Sequence, residues 1–356
     1  MPGGSGTFSK KLLENPEAAN AAALERIAIA KSRILAVLDR ETAAHRRTLE
    51  QKIAAQGPED RRVDPHLIGL AIMDMIELNR LKRLDHPETG TKSWFSNIGT
   101  ADVRVQEKLA EVAPLYAAVS GGDFGNQTGD ALEVVTFQCL KKMAQDNPRY
   151  AYQGHFYLER PKQNGRFQRI EPPQNVGGGA TKKKPDFIQY GYDQGPICIE
   201  CKNYREWLYP RDTIIKELIV KSYELECLPL IIDRRIHYTT RANLLVPAGI
   251  MAHESYFQYY PSDKADLASK VAHKRLLGFT DVRATEEPDK RTMRFFETHV
   301  PKIVSTMAKR WKDNRQALYD YANGEIHLAQ LYNAIGSPAG GKWADLVPEE
   351  PPPSWV

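Results

Sequence analysis

The chain has 356 residues, 42% of them hydrophobic, with a formal net charge of +4 and a pI near 8.7. That apolar content supports a real core, in two domains or in one domain with an arm. The mild basicity excludes nucleic-acid binding through a globally positive surface, so such contacts must come from local clusters. No apolar run reaches membrane-spanning length, and MPGGSGTFSKK lacks a signal peptide's apolar core, so a cytoplasmic chain without membrane contact is expected.

Residues 1–16 are expected to be flexible, and 17–55, rich in Ala, Leu, Glu and Arg, to form long helices. Asp64 and Pro65 then supply an N-cap and a first-turn proline for DPHLIGLAIMDMIELNRL, where Ile68, Ile72, Met75 and Ile76 make the buried face. RLKRL and KSWFSN read as two short strands joined by the turn-rich DHPETGT. Three helices and a hairpin over 17–100 resemble the winged helix-turn-helix class, which implies a third helix entering the major groove and a wing on the backbone. Candidate contacts are Arg46, Arg47, Arg61, Arg62, His66, Lys82 and Arg83. Asp74 and Glu77 on that helix leave a protein-interaction role open.

A linker helix and boundary loop are expected over 101–124, ending in SGGDFGNQTG. In TGDALEVVTFQCLKKM, Leu132, Val135, Cys139 and Met143 form one apolar stripe, with Asp130 as the N-cap. Glu133 lies beside the stripe, where it reads either as a solvated first-turn acid or as a group reaching a site at the core's edge. From Arg160 to Lys184 the chain carries seven Lys or Arg (Arg160, Lys162, Arg166, Arg169, Lys182, Lys183, Lys184) against one acid, Glu171, around the run Gly177 to Gly179. This is a mobile basic loop, either solvated or gripping a phosphate backbone.

The most informative stretch follows. In PDFIQYGYDQGPICIECK, Ile197–Cys201 has no helical period and follows the turn pair Gly195 and Pro196, so it reads as a buried strand. Alternation sends Glu200 and Lys202 to one face and Cys201 to the other. Asp186 opens the preceding strand, and a hairpin through YDQGP places it beside Glu200. Two carboxylates and an ammonium suit phosphodiester hydrolysis: hard oxygens hold Mg²⁺, and a nearby Lys orients water and offsets charge on the phosphorus oxygens.

An Asp followed by Glu-x-Lys on neighbouring strands resembles the PD-(D/E)xK nuclease superfamily, over roughly residues 125 to 260. The resemblance implies an α/β fold, a restriction-endonuclease-like mixed sheet flanked by helices. It implies Asp186 and Glu200 as ligands of Mg²⁺ or Mn²⁺, the Cys201 carbonyl as a further ligand, Glu133 as an auxiliary ligand and Lys202 as the water-orienting group. It also implies a possible second subunit for cutting both strands. RDTIIKELIVKSYELECL, with Ile214, Leu218, Ile219, Ser222 and Leu225 on one face, reads as the following helix, then PLIID and SYFQYY as strands. The core is expected over 125–280, a helical extension over 281–340 and a flexible tail over 341–356.

Cys139, Cys198, Cys201 and Cys227 are too few for a disulfide framework. Cys198 and Cys201 form CxxC, but residues three apart on a strand face opposite sides, which argues against joint zinc ligation. The expected activity is Mg²⁺-dependent DNA cleavage in restriction or anti-phage defence, with contacts from Lys182, Lys183, Lys184, Arg166, Arg169, Arg61, Arg62, Lys82 and Arg83. The expected partners are DNA, a second copy of the chain and a defence-system subunit. Junction resolution, repair, RNA cleavage and a non-catalytic DNA-binding role remain open at this point.

Overall fold

The structure, a computed structural model, describes residues 16–54, 62–85 and 93–338. Arg61, the tip of the expected wing and the C-terminal tail lie outside them. The chain divides into two compact units: residues up to Phe124 with Asp266–Val282, and Gly125–Ala265 with the chain from Arg283.

In the first unit, α1 (Pro16–Glu41) ends at Thr42, whose φ of 71° breaks a right-handed helix. A strand not expected from composition follows, β1 (Ala43–His45), and then α2 (Arg46–Ala54). Helix propensity is a weak preference, and burial of Ala43, Ala44 and His45 against a sheet partner overrides it. α3 (Pro65–Glu77) begins where Asp64 and Pro65 signal; the Asp64 carbonyl accepts from the Leu67 and Ile68 N–H groups, while its side chain makes no capping bond. Ile68, Ile72 and Met75 are buried, and Ile76 is half-buried. β2 (Leu81–Leu84) and β3 (Trp94–Asn97) pair antiparallel, and β1 adds to β3, giving the order β1-β3-β2.

The expected linker helix, α4 (Asp102–Ser120), packs within this unit. Tyr116 stacks on His45 at 3.7 Å, and Lys82 Nζ reaches Asp102 at 2.7 Å. Asp266–Val282, expected in the second domain, joins the first as well: Lys52 donates to the Lys274 carbonyl at 2.8 Å and Lys108 to that of Arg275 at 2.6 Å.

α5 (Gly122–Asp146) absorbs most of the expected boundary loop. Asp130 is therefore an interior residue rather than a cap, buried and bonded twice by the Arg166 guanidinium at 2.6 and 2.8 Å. Glycine marks a loop only when nothing else holds the backbone; here burial and Arg166 hold it. Leu132, Val135, Cys139 and Met143 are buried, but so are Ala131, Val134, Thr136 and Phe137, so the middle of α5 is covered almost all round while its ends are exposed.

After α5 come β4 (Ala151–Gln153), β5 (His155–Phe156), β6 (Arg169–Ile170), β7 (Asn175–Val176) and β8 (Gly179–Ala180). The loop expected to be mobile is thus shaped by two short antiparallel ladders, β5 with β6 and β7 with β8. β9 (Phe187–Tyr190), β10 (Ile197–Lys202), α6 (Thr213–Glu224), β11 (Leu228–Asp233) and β12 (Met251–Glu254) complete a five-stranded sheet of order β12-β11-β10-β9-β4. β10, β11 and β12 run parallel; β9 is antiparallel to β10 and β4 to β9. The result is a mixed sheet flanked by helices. The edge strand is Met251–Glu254 rather than SYFQYY, of which Gln258–Tyr260 forms β13 in a separate ladder. Edge pairing needs only a few residues in register, a weaker signal than an aromatic run.

Alternation along β10 divides the sheet's coverings. Cys201 Sγ meets Thr136 Oγ1 of α5 at 3.5 Å, whereas Glu200 points to α6. α7 (Val300–Ala322) backs α6, with Tyr319 stacked on Tyr223 at 4.1 Å. No helix among the described residues is long and apolar enough to cross a membrane.

One side chain ties the end of β10 to its surroundings. Buried Asn203 donates to the carbonyls of Thr128 at 2.5 Å and Tyr259 at 2.6 Å and accepts from the Tyr259 N–H at 3.0 Å. Asn203→Ala orphans the Tyr259 N–H and carbonyl and removes a second donor from the Thr128 carbonyl, and is expected to cost about 2 kcal/mol or more in urea unfolding; a loss under about 1 kcal/mol would contradict this role.

Candidate active site

The β9–β10 ladder pairs Ile197 with Gln189, Cys198 with Ile188 and Ile199 with Phe187, so the next step of the register sets Asp186 opposite Glu200. Asp186 sits at a bend just before β9. Its N–H donates to the Ile199 carbonyl at 3.2 Å, and its Oδ2 accepts the Cys201 N–H at 2.7 Å. The carboxylate thus takes the place of a ladder carbonyl. The N–H and C=O of one strand residue point the same way, so the Cys201 carbonyl opens on this edge too. Burial and the Glu200 charge push the Asp186 carboxyl up to about 7, against the pull of Lys202, the Cys201 N–H and Lys221.

Glu200 is buried, and two ammonium groups hold it: Lys202 Nζ at 2.8 Å from Oε1 and Lys221 Nζ at 2.6 Å from Oε2. Alternation sends Lys202 to the same face as Glu200. Burial works against the Lys202 ammonium, but the charges of Glu200 and Asp186 outweigh it and hold the group above its ordinary value. Lys221 is itself buried, on α6. It stands three residues after Leu218 and four before Leu225, both buried, and a charge on that stripe is the readable clue the sequence carried. The buried face of α6 also takes Ile215, with Ile214 left half-exposed, a small rotation from the expected face.

Glu133 lies in the field of Asp186 and has a cation of its own. Oxygens of Glu133, Asp186 and Glu200 do not all gather within 4.8 Å of one another. Glu133 comes from the helix on the other side of the sheet and is ion-paired with Arg169, which also bonds Glu171 at 2.8 Å. Burial and the Asp186 charge raise its carboxyl well above the ordinary range, with Arg169 opposing them.

The basic loop is largely neutralised. Arg166 is taken by Asp130, Arg169 by Glu133 and Glu171, Lys183 by Glu217 at 2.6 Å, and Lys184 by Glu171. Lys182 is exposed, with no side-chain partner among the described residues. In the first unit, Arg46 and Arg47 both bind Glu50, at 2.8 and 3.0 Å, and Lys82 binds Asp102. Arg62 and His66 are exposed, Arg83 is half-buried, and Arg61 lies outside the described residues. Counting cations along the chain misses these partners because most of them lie far off in sequence.

Asp186 Oδ1, which has no bond among the described residues, and the Cys201 carbonyl are hard donors at the β9 side of β10, and the Glu200 oxygens are hard donors on the adjoining sheet face. Each carboxylate oxygen has lone pairs beyond those its present partners use, so the set fits a hard divalent cation such as Mg²⁺. The cysteines do not fit a soft one. Cys198 and Cys201 are both buried, with the Cys201 Sγ on the α5 side, and burial pushes both thiols well above their ordinary value.

Lys221→Met leaves Glu200 buried with one cation, and a loss of about 3–5 kcal/mol is expected. Adding Glu200→Gln should recover much of it in a double-mutant cycle; additive losses would show that the pair is not coupled. A second outcome concerns Asp233, buried at the end of β11. Burial, opposed by the Arg235 N–H at 2.9 Å, pushes its carboxyl up to about 8. The unfolded carboxyl releases its proton near pH 4 and the folded one near 8. Between those values the folded state holds the extra proton, so this group's contribution to stability falls by up to about 1.4 kcal/mol per pH unit as pH rises. Asp233→Asn should flatten that slope in urea melts, and an unchanged slope would refute the assignment. Compared with family models, curated proteins and solved structures, the chain matches none.

Proposed function

We propose that the protein is a metal-dependent phosphodiesterase that cuts DNA, with a catalytic core of the PD-(D/E)xK, restriction-endonuclease-like type and a winged-helix-like N-terminal unit. The observation that carries this reading is the placement of Asp186 opposite Glu200, with Lys202 bonded to Glu200 on the same strand. Asp186, Glu200 and the Cys201 carbonyl are the residues that would hold Mg²⁺. The chemistry such an ion supplies when bound is polarisation of a phosphoryl oxygen and acidification of a water.

The remaining steps belong to side chains. Lys202, held protonated by its two carboxylate neighbours, donates a hydrogen bond to the attacking water or to a phosphorus oxygen as negative charge grows there. Lys221 fixes Glu200 from below and keeps its second oxygen in place. Glu133, paired with Arg169 and in the field of Asp186, is the auxiliary acid of the set.

Supercoiled plasmid incubated with the protein in Mg²⁺ or Mn²⁺ should be nicked or linearised. Asp186→Ala, Glu200→Ala and Lys202→Ala should each slow this at least about a hundredfold. Wild-type protein that retains DNA without cutting it, or variants that cut at the wild-type rate, would sink the hydrolase reading.

A further inference from the structure

We propose that the C-terminal ends of β10, β11 and β12 carry a phosphate-binding fringe, in which Arg235 of the loop after β11 and Arg291 of the short helix Lys290–Arg294 meet on Tyr256 of the loop after β12, Arg283 of the strand Val282–Ala284 rests on Phe257, and the three carry the backbone of a DNA strand past the site. This deepens the hydrolase reading and rests on it for the identity of the polymer. The three parallel strands end in register, Lys202 against Asp233 and Asp233 against Glu254, so the loops that follow emerge at one edge, level with Lys202. Ligands of open α/β sheets bind outside the carboxyl ends of their strands.

The loops are stitched together. The Ser255 N–H donates to the Asp233 carbonyl at 2.9 Å, the Tyr256 N–H to that of Arg234 at 3.1 Å, and Arg234 Nε to that of Tyr204 at 2.9 Å. Tyr256 has a φ of 64°, a conformation an aromatic residue keeps only where its surroundings over-determine it. The Arg235 guanidinium lies 4.5 Å and that of Arg291 3.9 Å from the centre of the Tyr256 ring, and Arg283 lies 3.4 Å from that of Phe257. None of the three forms an ion pair with a carboxylate among the described residues. The acids at the strand ends are engaged elsewhere: Glu254 holds Arg241 at 3.2 Å and the Ile236 N–H at 2.9 Å, and Asp233 holds the Arg235 N–H.

Two like charges on one ring without a counter-charge are poorly matched to each other and well matched to an anion between them. Ring contact orients each guanidinium plane and leaves its N–H donors free for the bidentate geometry that suits phosphate. A third guanidinium rests on the ring of the next residue, Phe257, and several unpaired guanidinium groups suit a repeating phosphate better than a single anion. The basic residues that stand out in the loop before Asp186 are mostly neutralised in the fold; these three arginines are not.

The test is fluorescence anisotropy of a labelled DNA duplex with the full chain in EDTA, where cutting is suppressed, over a range of salt. Arg235→Gln/Arg291→Gln should weaken binding at least tenfold and reduce the slope of log K against log salt by about one per arginine. Arg283→Gln, an exposed single change, should lower the slope by about one and guards against misfolding of the double variant. Arg235→Lys/Arg291→Lys, which keeps the charge, should restore most of the slope. An unchanged slope in both Gln variants overturns the fringe, as does displacement of the duplex by polyglutamate at equal charge. An RNA duplex bound with the same arginine dependence supports phosphate as the feature read. If wild-type protein fails to cut plasmid while the arginine dependence holds, the fringe stands and the hydrolase falls; cutting with unaltered binding gives the reverse.

Discussion

A buried carboxylate gripped by two ammonium groups organises this molecule's second unit. Glu200 costs several kcal/mol to remove from water unless its charge is matched and its oxygens bonded. Lys202 does this from the same strand and Lys221 from the helix behind it. The requirement couples β10 to α6 and gives α6 a polar residue at the centre of its buried face. It also sets the charge seen by Asp186, whose proton affinity is raised first by burial and then by the Glu200 charge. Removing either lysine would unbalance the packing and the chemistry together.

The same accounting governs the long basic segment before Asp186. Its arginines and lysines look like a cationic surface when read along the chain. In the fold, Asp130, Glu133, Glu171 and Glu217 take most of them. The segment is thereby pinned against α5 and α6 instead of standing free. Arg169 is the link between this strapping and the site, because the Glu133 carboxylate it holds lies in the field of Asp186. Glu133 starts from the far side of the sheet, and its pairing with Arg169 is the lower-energy arrangement for a buried acid near a second acid.

Positive charge without a carboxylate partner is found instead at the strand ends, where arginines rest on aromatic rings. Ring contact orients a guanidinium but neutralises none of its charge, so the field there remains available to an anion.

What could be read in one dimension was whatever depends on near neighbours. Two-residue alternation along ICIECK put Glu200 and Lys202 on one face, the Gly195–Pro196 turn implied the hairpin, and hairpin register followed to Asp186 opposite Glu200. The Asp64–Pro65 start of α3 and the apolar stripes of α5 and α6 are local in the same sense. Lys221 beneath Glu200, the partners of the loop cations, the strand at Ala43–His45, the helical course of SGGDFGNQTG and the edge strand Met251–Glu254 were settled by residues brought close through folding. Ion pairs and sheet edges depend on distance in space, and a charge on a helix or a glycine in a run says nothing about what will lie across from it.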